Sequence, residues 1–281
     1  MEESLTINVR GRLMDLSTPR VMGILNVTPD SFYAGSRTGA VQVAVERVGR
    51  MLAEGADIID IGAVSTRPGA ADVSADEEMR RLEPALAAIR SVYPDAVLSL
   101  DTFRADVARR GIDDFGIDMV NDVSGGADPS IYKEVSRTRV PYIIMHGATG
   151  MGAAEVPATD TPDLVPDMLR FFAERVQRLH DMGVADVVID PGFGFGKTRT
   201  DNLRLMGRLA QFHVLGCPLL VGVSRKSMIS QTLGISADEA LNGTTVLNTL
   251  ALAAGAHILR VHDVRPAVEA VRLVGATNVK H

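Results

Sequence analysis

Tryptophan is absent from this 281-residue chain, aromatic residues make up only 4% of it, and there is one cysteine. With so few rings, the interior has to be filled by aliphatic side chains, and a hydrophobic content of 46% is enough for a sizeable core. The lone Cys217 rules out an internal disulfide and any cysteine-cluster metal site. Lying between Gly216 and Pro218 at the start of a strand, it reads as a small buried hydrophobe. No apolar run reaches the ~18 residues that a membrane span requires. The opening segment MEESLTINVRG is acidic and polar, without signal-peptide character, so a cytoplasmic location is expected. Positive charge is not in excess either. A net charge of −6 argues against nucleic acid or an anionic membrane as the main partner, while leaving room for a local basic site.

What the chain does contain is a recurring alternation. Short Val-, Ile- and Leu-rich runs appear as VMGILN (21–26), DIIDIG (57–62), VLSLD (97–101), DMVND (118–122), PYIIMH (141–146), DVVID (186–190), PLLVGVS (218–224) and HILRV (257–261). They do not alternate cleanly between apolar and polar, as expected of strands covered on both faces. Helical stretches lie between most of them. The segment 40–56 carries an apolar stripe and stops at Gly55. Two others open with capping-box pairs, Ser74 with Glu77 and Ser236 with Glu239. Thr161-Pro162 is read as the start of a helix running to about Met182, and Pro84 is expected to kink or restart its helix. Eight strand–helix units match a (β/α)8 TIM barrel, with an open doubly wound sheet as the rival. A hairpin around Arg10-Gly11 precedes the first unit and is placed against the barrel floor. No linker is evident, so residues 1–281 are read as one domain.

Each expected strand ends in polar residues: Asn26, the loop after Gly62, Asp101-Thr102, Asn121-Asp122, His146, Asp190, Ser224 to Lys226, and Arg260 with His262. Any one of them could be a cap or a satisfied turn. All eight together converge on one mouth, where barrel enzymes carry out their chemistry. Asp101, Asn121 and Asp190 end apolar strands and should sit deep. A buried carboxylate needs a cation or a ligand edge with N–H donors. Lys226 could supply hydrogen bonds to the same ligand, and a flat heterocycle with an aminopyrimidine edge and a carbonyl would suit all four. The alternative is an internal Asp–Lys pair with no ligand.

A second group suits an anion. Arg260 and His262 are two residues apart and point the same way on extended backbone. Asn26, Thr66 and Arg67 could close the same pocket, and Arg225 lies nearby, close to the strand-7 and strand-8 ends where barrels often hold phosphate. Pairing of Arg260 with Asp263 or another carboxylate is the competing reading. The segment DPGFGFGKT (190–198) does not have Walker spacing at Lys197. Its glycines are read as letting backbone approach a flat ligand, with Phe195 available to cover a ring. No nucleophile supported by a base can be identified, and His180 and His213 have no metal-ligand companions. The site therefore reads as one that positions two substrates and stabilises a leaving anion.

Seven strings carry a resemblance: MGILNVTPDSF (22–32), STRPGA (65–70), LDTFRADVA (100–108), VNDVSGG (120–126), DPGFGFGKT (190–198), VGVSRKSMI (221–229) and LRVHDV (259–264). In order, and across most of the chain, they resemble the dihydropteroate synthase family. The resemblance implies a folate-pathway transferase in which 4-aminobenzoate displaces pyrophosphate from a dihydropterin hydroxymethyl diphosphate. It implies that Asp101, Asn121, Asp190 and Lys226 hold the pterin, with Phe195 beside the ring. It places Asn26, Arg67, Arg225, Arg260 and His262 on the diphosphate side, with Asn26 touching Mg²⁺. Phe32, Thr66, Pro68 and Ser227 would line the aminobenzoate site, and Lys226, Arg67 and Asp101 would carry the catalysis. A homodimer is implied as well.

Three stretches depart from the family pattern. The first loop reads SFYAGS, with Ala34 where Asp is usual; the second reads GAVS, with Val64 where a carboxylate is usual; and MHGATG stands in place of Met-His-Met. Rival readings are a methyltetrahydrofolate:corrinoid methyltransferase-like barrel, which needs no diphosphate cradle, an inactive pterin-binding paralogue and a generic phosphosugar barrel.

Overall fold

The computed structural model describes residues 5–27, 37–64, 73–147 and 160–277. Its first element is a small hairpin of β1 (Thr6–Val9) and β2 (Arg12–Asp15). The two-residue turn places Arg10 at φ 54° and Gly11 at φ 74°, the pairing of positive φ values that matches the twist of antiparallel strands. Arg10 is held in this uncommon conformation by Asp118 and by the carbonyls of Pro94 and Ala96.

Eight further strands are all parallel: β3 (Arg20–Asn26), β4 (Ile58–Gly62), β5 (Leu98–Asp101), β6 (Met119–Asp122), β7 (Tyr142–Met145), β8 (Val187–Asp190), β9 (Leu220–Val221) and β10 (Ile258–Val261). Their order is β8-β7-β6-β5-β4-β3-β10-β9, and a single parallel bridge between Ile189 and Leu219 joins the two ends. The sheet is a TIM barrel, and the open-sheet rival is excluded.

Side chains alternate between the two faces of each strand. Outward residues such as Ile59, Ile61, Leu98, Leu100 and Val120 merge with the helices into one large core. Inward residues Met22, Ile58, Met119, Ile143, Val188, Leu220 and Ile258 form a separate apolar layer, capped from below by Ile7, Val9 and Leu16 of the hairpin segment. The hairpin is thus the barrel's plug, as anticipated. Two residues further along the same inward face stand Asp60, Ser99, Asn121, Asp190, Gly222 and Arg260, so the chain turns from apolar to polar within one layer.

The helices are α1 (Arg37–Glu54), α2 (Ala75–Val92), α3 (Ala105–Phe115), α4 (Ser130–Thr138), α5 (Leu164–Asp181), α6 (Arg199–Gly207), α7 (Ser227–Leu233), α8 (Leu241–Ala253) and α9 (Val264–Thr277). Three details correct the sequence reading. Pro84 does not break α2, which runs through it, with Ser74 accepting the Glu77 amide at the cap. Helix α5 starts at Leu164, because the Thr161 amide is taken by Asp201 instead. Helix α8 starts at Leu241. Glu239 does reach back to Ser236, but residues 237–240 form a turn whose Ala237 and Asp238 carbonyls accept from Arg225. No helix among the described residues is long and apolar enough to cross a membrane.

Candidate active site

The polar layer begins with a carboxylate absent from the expected site. Asp60, fully buried on β4, accepts from Asn121 Nδ2 at 2.9 Å and from Arg260 Nε at 2.7 Å, both on Oδ2. Arg260 also donates from Nη2 to Asp101 Oδ2 at 2.7 Å. Arg260 is therefore paired, as the bland reading allowed, but with Asp60 and Asp101 and not with Asp263. Burial pulls the Arg260 pKa down and the flanking carboxylates more than offset it, so the net shift is upward and the guanidinium is a fixed cation. Asp101 is pushed up to about 7, first by burial and with Asp60 adding to the rise, while Arg260 opposes it. Gly62, beside Asp101 in the ladder, leaves it room: a Cβ there would lie 3.1 Å from the Asp101 Cβ. The missed Asp60 had one signal, a lone acid in the middle of DIIDIG at inward parity with Gly62.

Across the mouth, Lys226 follows β9 and donates to the Phe193 carbonyl, with Nζ 4.7 Å from the centre of the Phe195 ring. Burial lowers its pKa to about 8, against the raising effect of Asp190. Asp190 accepts the Gly192 amide at 2.8 Å, and its pKa is raised by burial. The two are coupled through space without a hydrogen bond, so the internal Asp–Lys pair is not how this site satisfies itself. Lys197, set aside in the sequence for its spacing, is a hub of this side. Its buried Nζ donates to the carbonyls of His146 and Gly192 at 2.9 Å and of Phe195 at 3.0 Å, tying the end of β7 to the loop after β8. Asp201 and Asn202 then cap and brace that loop, Asn202 accepting the Gly194 amide at 2.7 Å.

His262 lies past β10 with Nδ1 3.0 Å from Ser224 Oγ, and burial followed by the nearby Arg260 lowers its pKa to about 4. It enters as a neutral imidazole, not as a cation. Arg225 is the clearest correction among the expected site residues. At φ 55° its side chain is turned to the outside of the mouth, where Asp263 takes Nε at 2.8 Å and Nη2 at 2.9 Å. Its role is to tie the turn before α8 to β10. Asp122, adjacent to Asn121 and opposite in parity, is likewise structural, accepting from Tyr142 Oη, Ser124 and Gly126. Asn26 ends β3 beside Gly62, and Ser227 is exposed at the first residue of α7. Phe32, Thr66, Arg67, Pro68 and Ala34 lie outside the described residues.

Five of the expected residues thus share one mouth: Asp101, Asn121, Asp190, Lys226 and Arg260, with Phe195 at its side. The arrangement sets the acceptors Asp101, Asn121 and Asp190 beside the donors Lys226 and Arg260, which suits a neutral nitrogen heterocycle carrying an anionic tail. Comparison with known proteins identifies relatives. The family model described as pterin binding enzyme matches residues 22–262. A dihydropteroate synthase of Escherichia coli K12 is 42% identical over 271 residues, covering 95% of each chain. One from Synechocystis is 41% identical over 260 residues, covering 91% of this chain and 89% of its own. Among solved structures, the Xanthomonas albilineans dihydropteroate synthase with 4-aminobenzoic acid superposes with a TM-score of 0.89 at 37% identity, covering 99% and 100% of the two chains. The same protein in complex with 7,8-dihydropteroate gives 0.87 at 35% identity, again over 99% and 100%.

Proposed function

The chain belongs to the pterin-binding enzyme family, and from that premise we propose that it makes 7,8-dihydropteroate from 4-aminobenzoate and 6-hydroxymethyl-7,8-dihydropterin diphosphate, releasing pyrophosphate. The observation that carries the reading is the single mouth that gathers Asp101, Asn121, Asp190 and Lys226 next to the Arg260 guanidinium. In the reaction, the amine nitrogen bonds to the pterin methylene carbon while the carbon–oxygen bond to the diphosphate breaks. The bonding pair leaves on the diphosphate oxygen, and the amine gives up one proton. Asp101, Asn121 and Asp190 present acceptors to the ring's N–H edge, Lys226 donates to its carbonyl side, and Phe195 covers a face. Arg260, His262 and Arg67 receive the anionic tail, so their donors oppose charge where it develops. Phe32, Thr66, Pro68 and Ser227 belong to the aminobenzoate side.

A magnesium ion fits as part of the same reading. The described residues include no group of three or more His, Cys, Asp or Glu that would hold a metal by themselves. Asn26 supplies one hard oxygen at the mouth, and Mg²⁺ commonly takes few protein ligands and completes its shell with substrate phosphates and water. Bound there, it would offset negative charge on the leaving diphosphate. We extend the proposal to a cytoplasmic homodimer. Leu241, Val246, Leu250 and Leu273 expose apolar area on neighbouring α8 and α9, and a second copy would cover it.

Purified protein incubated with the pterin diphosphate, 4-aminobenzoate and Mg²⁺ should release pyrophosphate and dihydropteroate in equal amounts. Absence of both products would refute the assignment, and the inactive-paralogue reading would then stand.

A further inference from the structure

The family assignment leaves Asp60 without a role, and its geometry is unusual. It is a fully buried carboxylate whose Oδ2 carries two hydrogen bonds, from Asn121 and Arg260, while Oδ1 has no partner among the described residues. Asp101 touches the same guanidinium through a different nitrogen, and its side chain is 16% exposed where that of Asp60 is 0%. One arginine thus stands between two carboxylates, one sealed in the barrel and one at the mouth. A buried carboxylate stripped of its only cation is costly, so the Asp60 contact has no cheap replacement. The Asp101 contact does have one, because water or a ligand N–H can reach it.

We propose that Asp60 is a positioning residue: it is the standing counter-charge of Arg260, and it thereby frees Asp101 to exchange the arginine for the substrate ring when an anionic tail arrives. This deepens the proposed function and rests on it. In the empty site, Asp101 and Arg260 satisfy one another. A diphosphate group drawing Nη2 of Arg260 would leave Asp101 without a donor at the moment the heterocycle's N–H edge comes within reach. Asp60 keeps the Nε of Arg260 anchored throughout, so the guanidinium can change one partner without leaving the site. It also holds Nδ2 of Asn121, which fixes the amide so that Oδ1, unpartnered among the described residues, is turned away from the carboxylate. Ser99, adjacent to Asp60 in the ladder, likewise has an unpartnered hydroxyl, and the three open polar atoms sit on neighbouring strands β4, β5 and β6.

The isosteric Asp60→Asn variant tests this, provided the wild type makes dihydropteroate; if the wild type does not, the functional reading has failed and not the role of Asp60. Asp101 is faced by Arg260 on β10, Asp60 on β4, Glu78 on α2 and Asp122 on β6. Removing the Asp60 charge leaves Asp101 as the one charged carboxylate bonded to Arg260 among the described residues, with Asp190 acting only through space. The acidic limb of the kcat/KM profile should then move down by about one pH unit, and KM for the pterin diphosphate should rise by about tenfold, with kcat changing less. An unmoved acidic limb with only a lower melting temperature would reduce Asp60 to a structural residue and overturn the proposal. Should the variant not fold, a crystal structure of the wild type with inorganic pyrophosphate decides. Arg260 should keep its bond to Asp60 and lose the one to Asp101; a guanidinium that leaves Asp60 overturns the proposal.

Discussion

At the scale of single residues, titration behaviour is where this site departs most from ordinary side chains. Asp101 titrates near 7 and Lys226 near 8, both displaced chiefly by burial. If the reaction needs Asp101 ionised and Lys226 protonated, kcat/KM should rise through about pH 7 and fall above about pH 8, a narrow bell. A flat profile from pH 6 to 9 would contradict these roles. The same shift has a stability consequence. A carboxyl whose folded pKa is raised contributes stability that is fully present below its unfolded value of 3.8 and lost as pH rises through about 7. Asp101→Asn should therefore gain more in melting temperature over the wild type at pH 8 than at pH 5, while losing most of its activity. Residues at this scale were unevenly legible. Strand-end position and inward parity are enough to bring Asp101, Asn121 and Asp190 to one mouth, whereas Asp122, one residue on and opposite in parity, is taken up by Ser124, Gly126 and Tyr142. It could not separate Arg225 from Arg260, since the direction of Arg225 is set by a left-handed backbone and by Asp263, 38 residues away. Asp60 was hidden inside an apolar run that reads as core.

At the scale of elements, the loop after β8 is held from inside by one buried lysine, whose pKa burial lowers to about 7. Lys197 spends its three N–H donors on three carbonyls, two from that loop and one from the end of β7. The Lys197→Met side chain has similar length and no donors, leaving buried acceptors open. A loss of about 2 kcal/mol in urea unfolding is expected, with a higher KM for the pterin substrate because Phe195 and the Phe193 carbonyl lose their support. A variant with unchanged KM would show that the ring platform does not depend on this hub. Close packing accompanies the hub: a Cβ on Gly192, at φ 67°, would collide with the His146 carbonyl, so the loop backbone lies directly against the end of β7 there. Helix identity was readable from stripes and caps, but helix starts at α5 and α8 were not. Partners from elsewhere in the chain act at both: Asp201 takes the Thr161 amide before α5, and Arg225 holds the turn that follows the intact Ser236–Glu239 pair before α8.

For the whole molecule, the barrel was legible because eight apolar runs, most of them separated by a helical stretch, admit few other closures, and the plug because one hairpin precedes them all. The plug should matter energetically. Ile7 is fully buried among the lowest inward layer, so Ile7→Ala should cost about 3 kcal/mol, measured by denaturant unfolding, without altering KM for either substrate. A change in KM would mean that floor and mouth are mechanically coupled.

The seam between β8 and β9 gives this architecture a built-in line of weakness. Seven of the eight junctions are laddered, whereas this one is closed by a single bridge next to a two-residue strand. Asp190 stands on one bank and Lys226 on the other. Any breathing of the cylinder will therefore begin where the acidic and basic halves of the ring cradle meet, and a ligand spanning both banks acts as a rivet across the joint, stiffening the entire wall by being bound.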